Sequence, residues 1–185
     1  NLTGKRVTTS DYASANYYYV NKSSLPKVYG GFNTSLSWKG FDLSAIFAYS
    51  IGGYIYNRDI TMILHNGSLE GRDWSTEILK RWTPENRYTD VPALSTTSNN
   101  WNSASTRFLQ NNSYMRLKNL TLSYDLPKQW ISKLALSSVQ VFVQGDNLFT
   151  IHRNQGLDPE QGITGITYYR YPAMRTISGG INLSF

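Results

Sequence analysis

Thr176-Ile177-Ser178-Gly179-Gly180-Ile181-Asn182-Leu183-Ser184-Phe185 decides the fold class. Ile177, Gly179, Ile181, Leu183 and Phe185 alternate strictly with Thr176, Ser178, Gly180, Asn182 and Ser184. Successive side chains of a β-strand point to opposite sides, so this period of two gives one apolar and one polar face.

The same alternation recurs upstream. In 41–51, Phe41, Leu43, Ala45, Phe47, Tyr49 and Ile51 share a face, with Ile46 as the exception on the other. In 28–38, Phe32, Leu36 and Trp38 alternate with Asn33, Ser35 and Ser37. Only Lys39-Gly40 separates these two runs, and a two-residue loop containing Gly is a hairpin signal. A fourth strand is expected over 114–126, where Leu120, Leu122, Tyr124 and Leu126 are in phase and Met115 and Leu117 are out of phase with them. One extra residue near Lys118-Asn119, a β-bulge, would produce that slip. Val139, Val141 and Val143 mark a fifth strand over 139–145, with Phe142 interrupting its polar side. Tyr17 to Val20 is a weak further candidate.

Composition narrows the class. Of 185 residues, 40% are apolar and only 16% charged, while Tyr reaches 14. That excludes disorder, which needs charge and few aromatics, and a coiled coil, which needs Ala, Glu, Lys and Leu. No apolar run reaches the ~18 residues of a membrane-spanning helix, although alternating membrane strands would escape that criterion. Without cysteine there is no disulfide or thiolate metal site. The net charge of +6 is scattered in single Lys and Arg residues, not clustered as nucleic-acid binding requires.

The connections carry the stronger argument. Lys39-Gly40 is tight and Pro127 to Ser138 moderate, with a brief amphipathic piece over 129–134. Gly52 to Arg107 and Phe149 to Arg175 are long. Short and long connections therefore fall on opposite ends of the strands, as in a transmembrane barrel with short periplasmic turns and long extracellular loops. The alternative is a soluble secreted β-sandwich, a carbohydrate-binding module whose apolar strand faces form the core. Five strands do not close a membrane barrel, so the expectation is an all-β segment of a large antiparallel transmembrane β-barrel, with Tyr29, Trp38, Tyr49 and Tyr124 in its aromatic girdle.

Several motifs in order resemble one family. They are Leu25-Pro26-Lys27-Val28-Tyr29-Gly30-Gly31-Phe32, Trp38-Lys39-Gly40-Phe41-Asp42-Leu43, Gly52-Gly53-Tyr54-Ile55-Tyr56-Asn57 and Arg81-Trp82-Thr83-Pro84-Glu85-Asn86. They continue through Ser113-Tyr114-Met115-Arg116-Leu117-Lys118-Asn119-Leu120, Gly145-Asp146-Asn147-Leu148-Phe149, Gly156-Leu157-Asp158-Pro159-Glu160 and the closing Gly180-Ile181-Asn182-Leu183-Ser184-Phe185. Together they resemble the C-terminal part of SusC/RagA-type TonB-dependent outer-membrane transporters of the Bacteroidetes lineage. The resemblance implies a Gram-negative outer-membrane location and a barrel of about 22 strands. Residues 1–185 would be its C-terminal segment, with the plug domain and the TonB-contacting N-terminal part outside it. It also implies a SusD-like surface lipoprotein partner and import of glycan or peptide, and it makes Phe185 the aromatic that closes a barrel-assembly signal.

No reaction chemistry is expected: the chain reads as a transporter segment, with no catalytic residues, cofactor or metal. His65 and His152 lack partners at metal-ligand spacing and are expected to be plain surface residues. Asp158 and Glu160 flank a proline and are expected to shape a loop. The Gly-Gly pairs lack the Gly-Lys-Ser/Thr of a phosphate loop. Trp74, Trp82, Trp101, Tyr168 and Tyr169 lie in the long loops and are the candidates for contact with substrate or lid, since Trp and Tyr stack on ligands and anchor interfaces. Trp74 to Trp82 also reads as a short helix with Trp74, Ile78 and Leu79 on one face.

Overall fold

The computed structural model of the chain describes residues 9, 11–67, 69, 71–95, 97, 100–132, 136–156, 158–160 and 162–185. Its strands are β1 (Val28–Trp38), β2 (Phe41–Ile51), β3 (Tyr54–Tyr56), β4 (Leu109–Asn111), β5 (Tyr114–Asp125), β6 (Ser138–His152) and β7 (Thr176–Ser184), with short helices α1 (Arg58–Ile63) and α2 (Lys128–Ile131). An antiparallel five-stranded sheet runs β1-β2-β5-β6-β7, and β3 pairs with β4 in a small second sheet. Two compact units result. One comprises Ser23–Tyr54, Asn111–Gly165 and Arg170–Phe185; the other comprises the described residues of Asn1–Lys22, Ile55–Gln110 and Ile166–Tyr169.

The β1-β2 hairpin closes on Lys39 and Gly40, with φ of 48° and 87°. Two consecutive positive φ values match the twist of the strands they join, and Gly pays nothing for that conformation. At the same end, Pro127, α2 and a few further residues join β5 to β6. Ile131 of α2 is buried and Trp130 exposed, and positions 133–134 of the expected amphipathic piece lie outside the described residues.

Register makes the apolar face continuous. Trp38 pairs with Phe41, Phe41 with Tyr124, Tyr124 with Val141 and Val141 with Ile181. The next row is Leu36, Leu43, Leu122, Val143 and Gly179. The opposite face carries Ser35, Ser44, Thr121, Gln144 and Ser178 in one row. Phe142 interrupts that polar face because Gly180 opposite leaves room for its ring: a Cβ there would lie 2.8 Å from Phe142 Cζ.

The expected phase slip is present. Ile46 pairs with Asn119 and Phe47 with Leu117, leaving Lys118 as the extra residue of β5. A second irregularity extends β6 beyond the expected end at Gly145, to His152. Asn119 pairs with Asp146 but Leu117 with Phe149, so Asn147 and Leu148 are looped out, Asn147 at φ 52°. After that bulge Phe149 and Ile151 rejoin the apolar face. Tyr17 to Val20 forms no strand.

The apolar face is open. Leu36, Leu43, Leu122, Val143 and Ile181 are 67, 40, 42, 48 and 63% exposed. A sandwich would bury these residues under a second large sheet, and the only other described sheet has strands of three residues. An open apolar face beside a polar one is the arrangement of a barrel wall, lipid on one side and lumen on the other.

This predicts unequal tolerance of charge. Leu122→Arg should destabilise the protein folded into lipid vesicles by about 2–4 kcal/mol, and Ser123→Arg by little. Chemical unfolding of the two variants measures this, and equal losses would mean both faces are buried alike.

Candidate functional site

Chemistry-bearing side chains collect at the end of the sheet opposite the tight turns. Arg116 sits on the polar face of β5, paired in register with Ala48 and Thr150. Its Nε donates to Thr150 Oγ1 at 2.9 Å and its Nη1 to Glu160 Oε2 at 3.0 Å, and Nη2 donates to Asp158 Oδ1. Lys118 Nζ donates to both Glu160 oxygens at 2.7 and 2.6 Å. The Arg116 and Asp158 side chains are only 3 and 8% exposed, against 33 and 40% for Lys118 and Glu160. Asn112 Nδ2 donates to Pro159 O at 2.8 Å, and Pro159 is fully buried.

Asp158 shapes its loop from within, as its place beside proline suggested. Oδ1 accepts from Glu160 N at 2.9 Å and Oδ2 from Ala173 N at 2.7 Å. Burial alone would raise its carboxyl pKa. The backbone N–H groups of Ala173 and Glu160, with the Arg116 guanidinium, outweigh burial and hold it below the ordinary aspartate value. The result is an ionic clamp fixing 158–160 against the polar face of the sheet. Leu157 of the motif lies outside the described residues.

The five aromatic candidates all fall in the other unit. Ile166 bridges Tyr56, Thr167 N donates to Tyr56 O, and Tyr169 N donates to Asp59 Oδ1 at 3.1 Å. Tyr168 and Tyr169 thus join the first long loop, although 110 residues separate Tyr169 from Asp59 in the chain. Arg58 stacks on the Tyr168 ring at 5.5 Å and Arg107 on Trp101 at 4.5 Å. Trp74, Trp82, Tyr168 and Tyr169 are each between 43 and 59% exposed, so their rings stay open to solvent.

His65 departs from expectation: it is 1% exposed, not a surface residue. Its Nδ1 accepts from Trp74 Nε1 at 3.0 Å and from Gly67 N at 3.3 Å. Both partners can only donate, so Nδ1 is the accepting nitrogen. The bond fixes the indole beside a cavity of about 790 Å³ lined by His65, Trp74, Arg72, Asp73, Leu94 and Ser95. The helix expected over 74–82 is a 3-10 turn, Thr76–Lys80, in which Ile78 is buried while Leu79 is 72% exposed. With three residues per turn, Leu79 points away from the face that holds Ile78. Among the described residues no cluster of three or more His, Asp or Glu could hold a metal ion.

An apolar-out, polar-in wall with tight turns at one end and folded loops at the other defines a segment of a transmembrane β-barrel of the outer-membrane type. No family model matches the chain. Curated relatives do: it is 33% identical to TonB-dependent receptor P3 of Formosa agariphila over 84% of this chain and 16% of that protein. It is 27% identical to TonB-dependent receptor SusC of Bacteroides thetaiotaomicron over 90% of this chain and 16% of that protein. Among solved structures, the RagAB peptide importer in its closed-closed state superposes with a TM-score of 0.83 at 35% identity, covering 100% of this chain and 20% of that one. Its open-open state gives the same TM-score and identity over 97 and 19%. The chain belongs to the SusC/RagA-type TonB-dependent receptors, and spans about a sixth to a fifth of the length of these relatives.

The clamp predicts where loop stability resides. In a receptor containing this chain, Asp158→Ala would take one of two carboxylates from a buried guanidinium and the acceptor from the Glu160 and Ala173 N–H groups, at a cost of about 3 kcal/mol. Cleavage of 153–175 by added protease should then rise by roughly a hundredfold or more, since cutting tracks the open population. Lys118→Ala removes a half-exposed pair and should change cleavage by no more than about fivefold.

A pH dependence follows from the lowered pKa of Asp158. A carboxyl whose folded pKa is depressed adds stability that is complete above its unfolded value, about 3.9, and is lost as pH falls through the folded value. Loop cleavage by an acid-active protease should therefore stay flat from pH 7 to about pH 5 and rise only below about pH 3.9. Asp158→Asn should remove that rise.

Proposed function

We propose that this chain is the C-terminal barrel segment of an outer-membrane importer driven through the TonB complex, working as a transporter and not as an enzyme. The open, continuous apolar face of the five-stranded sheet is the observation that carries this reading, and the likeness to SusC and to the RagAB peptide importer supports it. The polar face lines the lumen. The plug and the TonB-contacting part belong to the rest of the receptor, and a SusD-like surface lipoprotein is the lid. Phe185, at the end of the β7 pattern, is the aromatic read during assembly.

Substrate and lid meet the extracellular ends of the strands. In the loop unit Trp74, Trp82, Tyr168 and Tyr169 offer open rings, and Trp101 is held by Arg107. Rings of this kind stack on sugars and on the side chains of peptides alike. Glycan and peptide are therefore both within the reach of these loops.

Topology is the direct test. On intact cells making the receptor without its lid, added protease should cut within 52–107 or 153–175 and spare 127–137. Cleavage confined to 127–137 would invert the topology. Recovery of the protein in the soluble fraction without detergent would refute a membrane barrel altogether.

A further inference from the structure

A cavity of about 470 Å³ lies beside the clamp, with Arg116, Thr150, His152, Asp158, Ala173 and Arg175 in its wall. Its charges are not balanced. Arg116 is engaged by Thr150, Glu160 and Asp158, and Asp158 by Arg116 and the two backbone N–H groups. Lys118 closes on Glu160. Two cations meet two anions in this set and cancel. Arg175 forms no ion pair with any carboxylate among the described residues, so the cavity keeps one uncompensated positive charge. Asp158 does not oppose an incoming anion, because its charge is already spread over Arg116 and the backbone donors.

The rest of the wall is fixed as well. His152 Nδ1 lies 2.9 Å from the carbonyl oxygen of Asn154, which can only accept, so Nδ1 is the donor of that bond and the ring is held against the wall. Asn147 Nδ2 donates to Met174 O at 3.2 Å, tying the β6 bulge to the segment that carries Arg175. A guanidinium presents parallel N–H groups that match the two oxygens of a carboxylate. The volume suits one sugar ring or a short peptide end and not a long polymer.

We propose that this cavity binds the carboxylate of an imported ligand, with Arg175 as the binding cation. The inference rests on the import reading above and deepens it by naming the ligand chemistry. A uronic acid in a glycan and the C-terminus of a peptide present the same group. His152 Nε2 and the hydroxyl of Thr150 are left to hydrogen-bond with neighbouring hydroxyl or amide groups of either.

Arginine modification tests it on the full-length receptor in detergent. Phenylglyoxal should modify Arg175, read by peptide mass spectrometry, at a rate that ligand slows. The probes are trigalacturonate against neutral galactotriose, and tetra-alanine against its C-terminal amide. Protection by trigalacturonate alone, or by free-acid tetra-alanine alone, supports the site and names the source of the carboxylate. Protection by both acids and neither neutral partner also supports it. No protection by either acid, or equal protection by the neutral partners, overturns it. Arg175→Gln should weaken binding of the protecting acid by about tenfold or more, with Arg175→Lys intermediate and neutral-ligand binding unchanged. Membrane fractionation of the same receptor separates the two readings: an outer-membrane protein with an unprotected Arg175 loses this inference and keeps the import function.

Discussion

One residue of register, at Lys118, sets what both faces of the sheet contain. Arg116, Lys118, Leu120 and Leu122 share sequence parity, and in an unbroken strand all four would point the same way. A slip of one residue moves every later side chain to the other face. The bulge places that slip between Leu117 and Asn119. Met115 and Leu117 then join Leu120 and Leu122 on the apolar face, while Arg116 joins Asn119 and Thr121 on the polar one. Without the bulge, either two leucines would line the lumen or two cations would face lipid, and a cation at the bilayer midplane costs about 2–4 kcal/mol.

The loop depends on that placement. Arg116 and Lys118 are two residues apart and lie on one side, and the bulge turns Leu120 and Leu122 away from it, so one carboxylate, Glu160, reaches both cations. Asp158 then takes the remaining side of Arg116 and organises the backbone of its own loop through Glu160 and Ala173. A buried ion pair is weak evidence for stability in general, since desolvation opposes it. What it supplies here is geometry: Arg116 has three partners, and two of them, Asp158 and Glu160, belong to the loop. The parity of a membrane strand and the position of a loop about 40 residues away are therefore one constraint.

The strands were legible because they must be. A barrel wall faces two solvents, so its side chains alternate, and β1, β2 and β7 announce this plainly; even the bulge shows as a phase slip. Sequence reading stopped β6 at Gly145 because Asp146-Asn147-Leu148 breaks the alternation. The ladder resumes through a residue at positive φ that only the backbone reveals. The loops were legible in composition and not in contact. Nothing near His65 in the sequence marks it as buried, because its partner Trp74 is nine residues away and the contact is tertiary. The pairing of Asp59 with Tyr169 spans 110 residues and has no periodic signature. Asp158 and Glu160 were read correctly as loop-shaping, but the cations that hold them lie on a strand whose register had to be known first.

This difference reflects how the two units are built. The sheet is held by a backbone ladder that tolerates many side chains so long as polarity alternates. The loop unit buries Ile55, Ile78, Val91 and Phe108, but beside them it buries Asn57, Asp59, Thr61, His65 and Thr167. Apolar contacts are non-directional and accept substitutes of similar size, whereas a buried polar group must find its partner in one geometry. A loop ordered by hydrogen bonds such as Trp74 to His65 and Tyr169 to Asp59 holds its exposed rings in fixed positions with little core beneath them. Its exposed residues outside those bonds are then free to vary, while the strands of the sheet keep only their alternation. The separation leaves the loop unit in sequence that pattern cannot read and the barrel wall in sequence that pattern reads well.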